Sequence, residues 1–238
     1  DHFFGLVGLV STFRLLGREA DLHIYGPKGI KEAITLQLKL SKSWTDYDLY
    51  FHELESTEPQ LLFEDEKISV TTIPLRHRVY TNGFLFQEKE GERTLDIKAV
   101  ETANVSMSYY TKIKQGHDVT NEDGVLIPNK SVTIDPPKPK SYAYCSDTLY
   151  FPAIIPQITN VTALYHEATF LEQHQDLADK TKHSTAKEAA SIAKNAEVDQ
   201  LILGHYSGRY QNITAFKREA EELFEPVLLA EDGKVFEF

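Results

Sequence analysis

The sequence predicts an α/β protein, an αβ/βα sandwich of two sheets faced by helices, with an inserted arm. Three observations carry that prediction. Strand-like and helix-like segments alternate along most of the 238 residues. Hairpin signals are mixed among them, which a purely parallel sheet would not show. A long polar stretch interrupts the alternation near the middle of the chain. A chain of this size can bury a substantial core as one domain spanning 1–238 with an appendage, and a hydrophobic content of 41% places it among folded proteins.

The elements follow in order. Leu6 to Leu16 is an apolar stretch that suits a helix packed behind a metal-binding loop, and the small Gly5 and Gly8 permit close packing at that loop-to-helix junction. Leu22-His23-Ile24-Tyr25, stopped by Gly26-Pro27, reads as a short strand, and Gly29 to Leu40 carries apolar residues at helical spacing. Leu49 to Phe51 and Leu61 to Phe63 are strands. Ile68 to Ile73 alternates, is rich in β-branched residues and ends at Pro74; Asn82 to Phe86 begins the next strand after a turn. Residues 88–141 are different: polar, broken by Gly91, Gly116, Gly124 and Pro136-Pro137, with only small apolar clusters such as Tyr109-Tyr110. A stretch this long with little periodicity reads as an inserted arm, with a flexible insertion as the alternative.

Beyond it, alternation resumes. Tyr142 to Cys145 and Val161 to Tyr165 are buried strands. Thr185 caps a helix with Glu188 placed for a capping box, Val198 to Leu203 is a strand, and Ala215 to Phe224 a helix. Val227 to Ala230 and Lys234 to Phe238 flank Asp232-Gly233, which predicts a terminal hairpin.

Composition narrows the function. A net charge of −11 argues against a general nucleic-acid binder, because phosphate backbones are held mainly by Lys and Arg. Local basic surface remains open to Lys112, Lys114, Lys138, Lys140, Lys180, Lys182 and Arg209, though each alone reads as an ordinary solvated cation. No apolar run approaches the ~20 residues of a membrane span, so no membrane partner is expected. The single cysteine, Cys145, excludes an internal disulfide and points to the cytoplasm.

The chemistry-bearing residues are dispersed but fall where strands run out: Asp1 and His2, His77, Asp147, His166 with Glu167, His183, and His205. Singly, each is an ordinary strand-end or capping residue. Together they form the pattern in which imidazoles and carboxylates from several strand ends build an open metal site. His166-Glu167 lacks the second histidine of a helical zinc-protease motif. Cys145 lies inside an apolar strand with no adjacent base, and Ser146 and Ser184 lack a nucleophile-elbow context.

These blocks resemble the ribonuclease Z family, the transfer-RNA 3′-processing endonucleases of the metallo-β-lactamase superfamily. Asp1-His2 with Gly5-Leu6-Val7-Gly8 is similar to the second half of the family's His-x-His-x-Asp-His signature. Pro74 to His77 with Gly83-Phe84, Ser146-Asp147-Thr148, and Gly204 to Tyr210 resemble its later metal motifs. His166 to Phe170 and His183-Ser184-Thr185 are similar to blocks more specific to the family than the ligands themselves. In place of the Gly-Pro segment of the family's arm stands Asn104 to Tyr110.

The resemblance implies a metallo-β-lactamase-like fold whose opening strands and first two signature histidines precede Asp1. It implies two zinc ions, although manganese or iron suits such a set nearly as well. His77 would serve the first and Asp1, His2 and His205 the second, with Asp147 between them. Asp1 would also orient the attacking water, and His183, oriented by Glu167, would protonate the leaving ribose oxygen. The implied partners are precursor transfer RNA and a second copy of the chain. The competing readings are another phosphodiesterase or arylsulfatase-like hydrolase of the superfamily, and a non-catalytic RNA-binding fragment.

Overall fold

The computed structural model describes residues 2–238. Asp1, to which the sequence gives both a ligand and an orienting role, lies outside them. Helix α1 (Phe4–Leu15) comes first, followed by β1 (Leu22–Pro27), α2 (Ile30–Ser41) and β2 (Leu49–Leu54). β1 and β2 pair in parallel from Leu22 opposite Leu49 to Pro27 opposite Leu54. Val10, Ile24, Ile30, Ile34 and Leu38 close a small core behind that pair, and the Tyr47 hydroxyl donates to the Val10 carbonyl at 2.8 Å. Gly5 and Gly8 do not tighten a junction as the sequence predicts. Both face open space on α1, alongside the exposed Phe4 and Leu9.

β3 (Leu61–Glu64), β4 (Ile68–Pro74) and β5 (Asn82–Glu88) form an antiparallel meander. The arm leaves at the end of β5. It contains β6 (Thr94–Leu95), α3 (Ile97–Thr102), α4 (Tyr110–Lys114), β7 (Val119–Thr120), β8 (Leu126–Ile127) and β9 (Thr133–Ile134), packed around Val100, Val105, Ile113, Val119 and Val132. Its irregular backbone is held by side chains. The buried Asn129 amide donates to the Ile113 carbonyl, and Arg93 pairs with Asp135 while its Nε donates to Thr133 at 2.7 Å.

The chain re-enters as β10 (Ser141–Cys145), then β11 (Ala163–Glu167), α5 (Gln175–Thr181), α6 (Ala186–Asn195), β12 (Leu201–Gly204), α7 (Thr214–Glu221) and β13 (Val227–Leu229). The large sheet runs β13-β12-β11-β10-β5-β4-β3, parallel through its first four strands and antiparallel beyond. α6 and α7 bury Ala189, Ile192, Ala193, Phe216 and Ala220 against the face that carries Ala143, Cys145, Leu164, Leu201 and Leu203. The capping box at Thr185 and Glu188 is formed as the sequence predicts.

The terminal hairpin is not formed. Asp232-Gly233 does turn, with the Lys234 N–H donating to the Glu231 carbonyl, but residues 234–238 are not a strand. β13 already pairs in parallel with β12. The tail instead carries Phe238 to Tyr142 on β10, where the rings stack at 5.9 Å. Hairpin chemistry set the turn, and an aromatic contact decided where the chain went next.

Topology places the site. β4 is antiparallel to β5, and β5 is antiparallel to β10, so β4 runs with β10, β11 and β12. The C-terminal ends of those four strands therefore share one edge, where ligands of open α/β sheets gather. His77 follows β4, Asp147 follows β10, Glu167 ends β11 and His205 follows β12.

Candidate metal centre

Glu167 is the anchor of this edge. Its side chain has no exposed surface, and both oxygens are used. Oε1 accepts from the Thr148 N–H at 2.8 Å and from His183 Nδ1 at 2.7 Å. Oε2 accepts from the Thr169 N–H at 3.1 Å, the Thr169 hydroxyl at 2.6 Å and the Ser184 N–H at 3.2 Å. Burial alone would push this carboxyl up. The hydrogen bond and positive charge of His183, helped by the Thr169 hydroxyl, outweigh it and hold Glu167 below the ordinary glutamate range, so it is ionised.

That ionised carboxylate fixes the tautomers around it. The Thr169 hydroxyl has one proton, and Glu167 takes it. Thr169 Oγ1, 2.9 Å from His205 Nδ1, must then accept, so the His205 proton is on Nδ1. His205 Nε2 turns a lone pair toward Asp147 Oδ1 at 3.1 Å. The lone pair is kept because His205 is held below its ordinary pKa: burial is the main cause, His183 and His2 add repulsion, and the pull of Asp147 and Glu167 does not overcome them. Two acceptors at that distance call for a cation between them. The other oxygen of Asp147 lies 3.0 Å from His2 Nε2.

His77 is oriented in the same way, because its Nδ1 can only donate to the Lys182 carbonyl at 2.8 Å. Its ring lies 4.8 Å from that of His183, which in turn stacks 5.2 Å from His205; His2 lies 5.3 Å from His205. The sequence-predicted His2, His77, Asp147, Glu167, His183 and His205 thus converge. One ligand atom from each of Asp147, Glu167, His183 and His205 fits within 4.8 Å of the others. Of these, Glu167 is excluded as a ligand by its filled hydrogen-bonding capacity.

His183 differs from His205. Burial would lower its pKa, but the Glu167 hydrogen bond and charge, with that of Asp147, raise it above the ordinary value. It is a proton holder where His205 is a lone-pair holder. The backbone also marks the site: Asp147 (φ 54°), His205 (φ 59°) and Lys182 (φ 64°) are all left-handed, a conformation that costs energy in L residues and clusters at functional sites. Cys145 is fully buried and its thiol is pushed up to about 12, which removes it as a nucleophile. Sequence reasoning missed Thr169, Thr148, Ser184 and the Lys182 carbonyl. Thr169 stands in a recognisable block, but nothing local signals that its hydroxyl links Glu167 to His205.

The fold and this strand-edge cluster define the class: a metallo-β-lactamase fold protein. Among solved structures, the chain matches human tRNase Z, short form, with a TM-score of 0.64 at 24% identity over 99% of this chain and 74% of that one. It also matches a metallo-β-lactamase fold protein from Bacillus subtilis, with a TM-score of 0.62 at 18% identity over 100% of this chain and 73% of that one. These likenesses establish the fold.

Curated relatives are more specific. The chain is 44% identical over 233 residues to ribonuclease Z of Bacteroides thetaiotaomicron (98% of this chain, 74% of that one). It is 42% identical over 237 residues to ribonuclease Z of Cytophaga hutchinsonii (99% and 75%), and 42% identical over 232 residues to that of Porphyromonas gingivalis (98% and 76%). The chain therefore belongs to the ribonuclease Z family, and it spans about three quarters of the length of these relatives. No protein-family profile matches it.

Proposed function

We propose that this protein removes the 3′ trailer from precursor transfer RNA by hydrolysing one phosphodiester, leaving a 3′-hydroxyl on the transfer RNA and a 5′-phosphate on the trailer. Family membership supports the activity. The observation that carries the chemistry is the pair of facing acceptors, His205 Nε2 and Asp147 Oδ1. His2 and His205 would hold one zinc ion and His77 another, with Asp147 shared, and Asp1 joining the set by the family resemblance. Bound there, zinc supplies a water that ionises near neutral pH and positive charge for the phosphoryl oxygens.

The rest is done by side chains. His183, protonated and braced by Glu167, gives its proton to the leaving ribose oxygen. Phe170 packs edge-on to His183 at 6.4 Å and also holds the Arg209 guanidinium 5.3 Å from its ring, a cation that would stabilise charge on the phosphoryl oxygens. The arm, with Lys112 set over Tyr109, would hold transfer-RNA backbone and stacked bases. A homodimer would cover α1 and the residue that follows it, where Phe4, Leu15 and Leu16 are exposed. No helix among the described residues is long and apolar enough to cross a membrane.

The test is metal analysis together with cleavage of a precursor transfer RNA, mapping both new ends. Two zinc ions per chain and a single cut at the 3′ side are expected. Equal turnover of a small phosphodiester and of the precursor would make it a general phosphodiesterase, and RNA binding without metal or cleavage would make it a binding protein. Sedimentation as a monomer would overturn the dimer.

A further inference from the structure

Beside the candidate metal centre lies a cavity of about 830 Å³, lined by the stretch from Pro74 to Asn82, the turn at Ser56 to Glu58, Phe151 and Lys182. Its volume falls within the ~300–1,000 Å³ typical of small-molecule sites. Three cations line it, Arg76, Arg78 and Lys182, against the single carboxylate of Glu58. On a chain of net charge −11 that local balance is a departure. The Arg76 guanidinium lies on the Phe151 ring at 4.8 Å, which presents a flat, cationic platform of the kind that stacks nucleobases. The cavity is joined to the site through His77, which lines it and is bonded to the Lys182 carbonyl.

We propose that this cavity holds the last nucleotide retained on the transfer RNA, with its 5′-side phosphate between Arg78 and Lys182 and its base on the Arg76–Phe151 stack. The assignment rests on the trailer-removing reading above. The side follows from chemistry. His183, the donor to the leaving oxygen, directly follows Lys182, and its ring lies 4.8 Å from that of His77, which lines the cavity. In that reaction the leaving oxygen is the 3′-oxygen of the retained nucleotide, so this nucleotide lies on the His183 side of the cut. The trailer lies on the other. Tyr80 also lines the cavity, its hydroxyl donating to the Ser56 carbonyl at 2.9 Å and accepting from the Asn82 amide at 2.8 Å.

The experiment measures binding of a precursor transfer RNA in excess chelator, where no cleavage occurs, for the unaltered chain and for Arg78→Gln, Arg78→Lys and Lys182→Asn. Asn suits the left-handed backbone at 182, so the fold is spared. Arg78→Gln and Lys182→Asn are expected to weaken binding on the order of five- to tenfold and to lower the log–log salt slope by about 0.7 each. Arg78→Lys restores most of the loss.

The same series is then run on precursors with one neutral methylphosphonate linkage. With the linkage 5′ to the retained nucleotide, the variants and the unaltered chain should bind alike. With the linkage within the trailer, the penalty should remain. A penalty that survives every neutral linkage, or vanishes only for the trailer one, overturns the proposal. A zinc-restored chain that cleaves no precursor would instead overturn the underlying reading, and this proposal with it.

Discussion

Around Glu167, five hydrogen bonds converge on one carboxylate from Thr148, Thr169, His183 and Ser184, which lie on three separate stretches of chain. The arm between Glu88 and Ser141 is built the other way. Its core of Val100, Val105, Ile113, Val119 and Val132 is closed by contacts within the insertion, and its two stems are tied to each other by the Glu88 N–H to Lys140 carbonyl bond at 2.9 Å. A network drawn from distant segments is cooperative, and cutting one strand of it exposes the rest. A locally closed unit can be altered or removed with the remainder intact. The comparison teaches that the proposed chemistry would depend on the first kind of structure, and the proposed hold of the arm on transfer RNA on the second.

The sharpest way to break it is His183→Ala. If this imidazole donates a proton and does not bind metal, precursor cleavage should fall by about 10²–10⁴-fold with zinc content by mass spectrometry unchanged. Metal and rate falling together would make His183 a ligand and redraw the site. Glu167→Gln comes next. It places an amide N–H₂ among donors, and unfolding should cost about 3–5 kcal/mol less, as for a broken buried pair.

The pH dependence of that pair has a definite sign. Glu167 is depressed, so its contribution is present above the ordinary glutamate range and lost as pH falls through its folded value. His183 is raised, so its contribution is present below 6.5 and lost as pH rises through its folded value. The alkaline limb of cleavage should therefore move to lower pH in Glu167→Gln. An unmoved limb would detach Glu167 from His183.

Excising residues 92–135 probes the other region. The stems join neighbouring antiparallel strands, with Ser141 opposite Gln87, so a short turn can close the gap. KM for precursor transfer RNA should rise by about 100-fold, a few lost phosphate and stacking contacts. Turnover of a small phosphodiester should persist. Loss of both would mean that the arm's core supports the sheet and that the two regions are not separable.

Legibility in the sequence divides along the same line. His77, Asp147, Glu167 and His205 could be found because apolar strands such as Leu201-Ile202-Leu203-Gly204 end where topology needs a functional residue. The capping box at Thr185 was equally local. What could not be read is whatever depends on two distant segments meeting: the Thr169 hydroxyl shared by Glu167 and His205, or the Lys182 carbonyl that sets the His77 tautomer. The arm's core was missed for a different reason. Val100, Val105, Ile113, Val119 and Val132 are spread thinly in polar sequence with no period, because a unit this small needs only one apolar residue from each turn.

The smallest prediction sets two helix caps against each other. Thr185 caps α6, where its hydroxyl accepts from the Glu188 N–H at 3.2 Å; Asp96 caps α3 in the arm, where its carboxylate accepts from the Ala99 N–H at 3.1 Å. Replacing either with Ala should cost about 1 kcal/mol of stability, since each leaves a helix-end N–H without its acceptor. The consequences should differ. Thr185 stands two residues after His183, and its neighbour Ser184 donates to Glu167, so a frayed start of α6 loosens the proton donor. Thr185→Ala should lower small-phosphodiester turnover severalfold, with Thr185→Ser restoring it, whereas Asp96→Ala should lower thermal stability alone. Equal losses of turnover from the two caps would show that the arm and the strand edge behave as one cooperative unit.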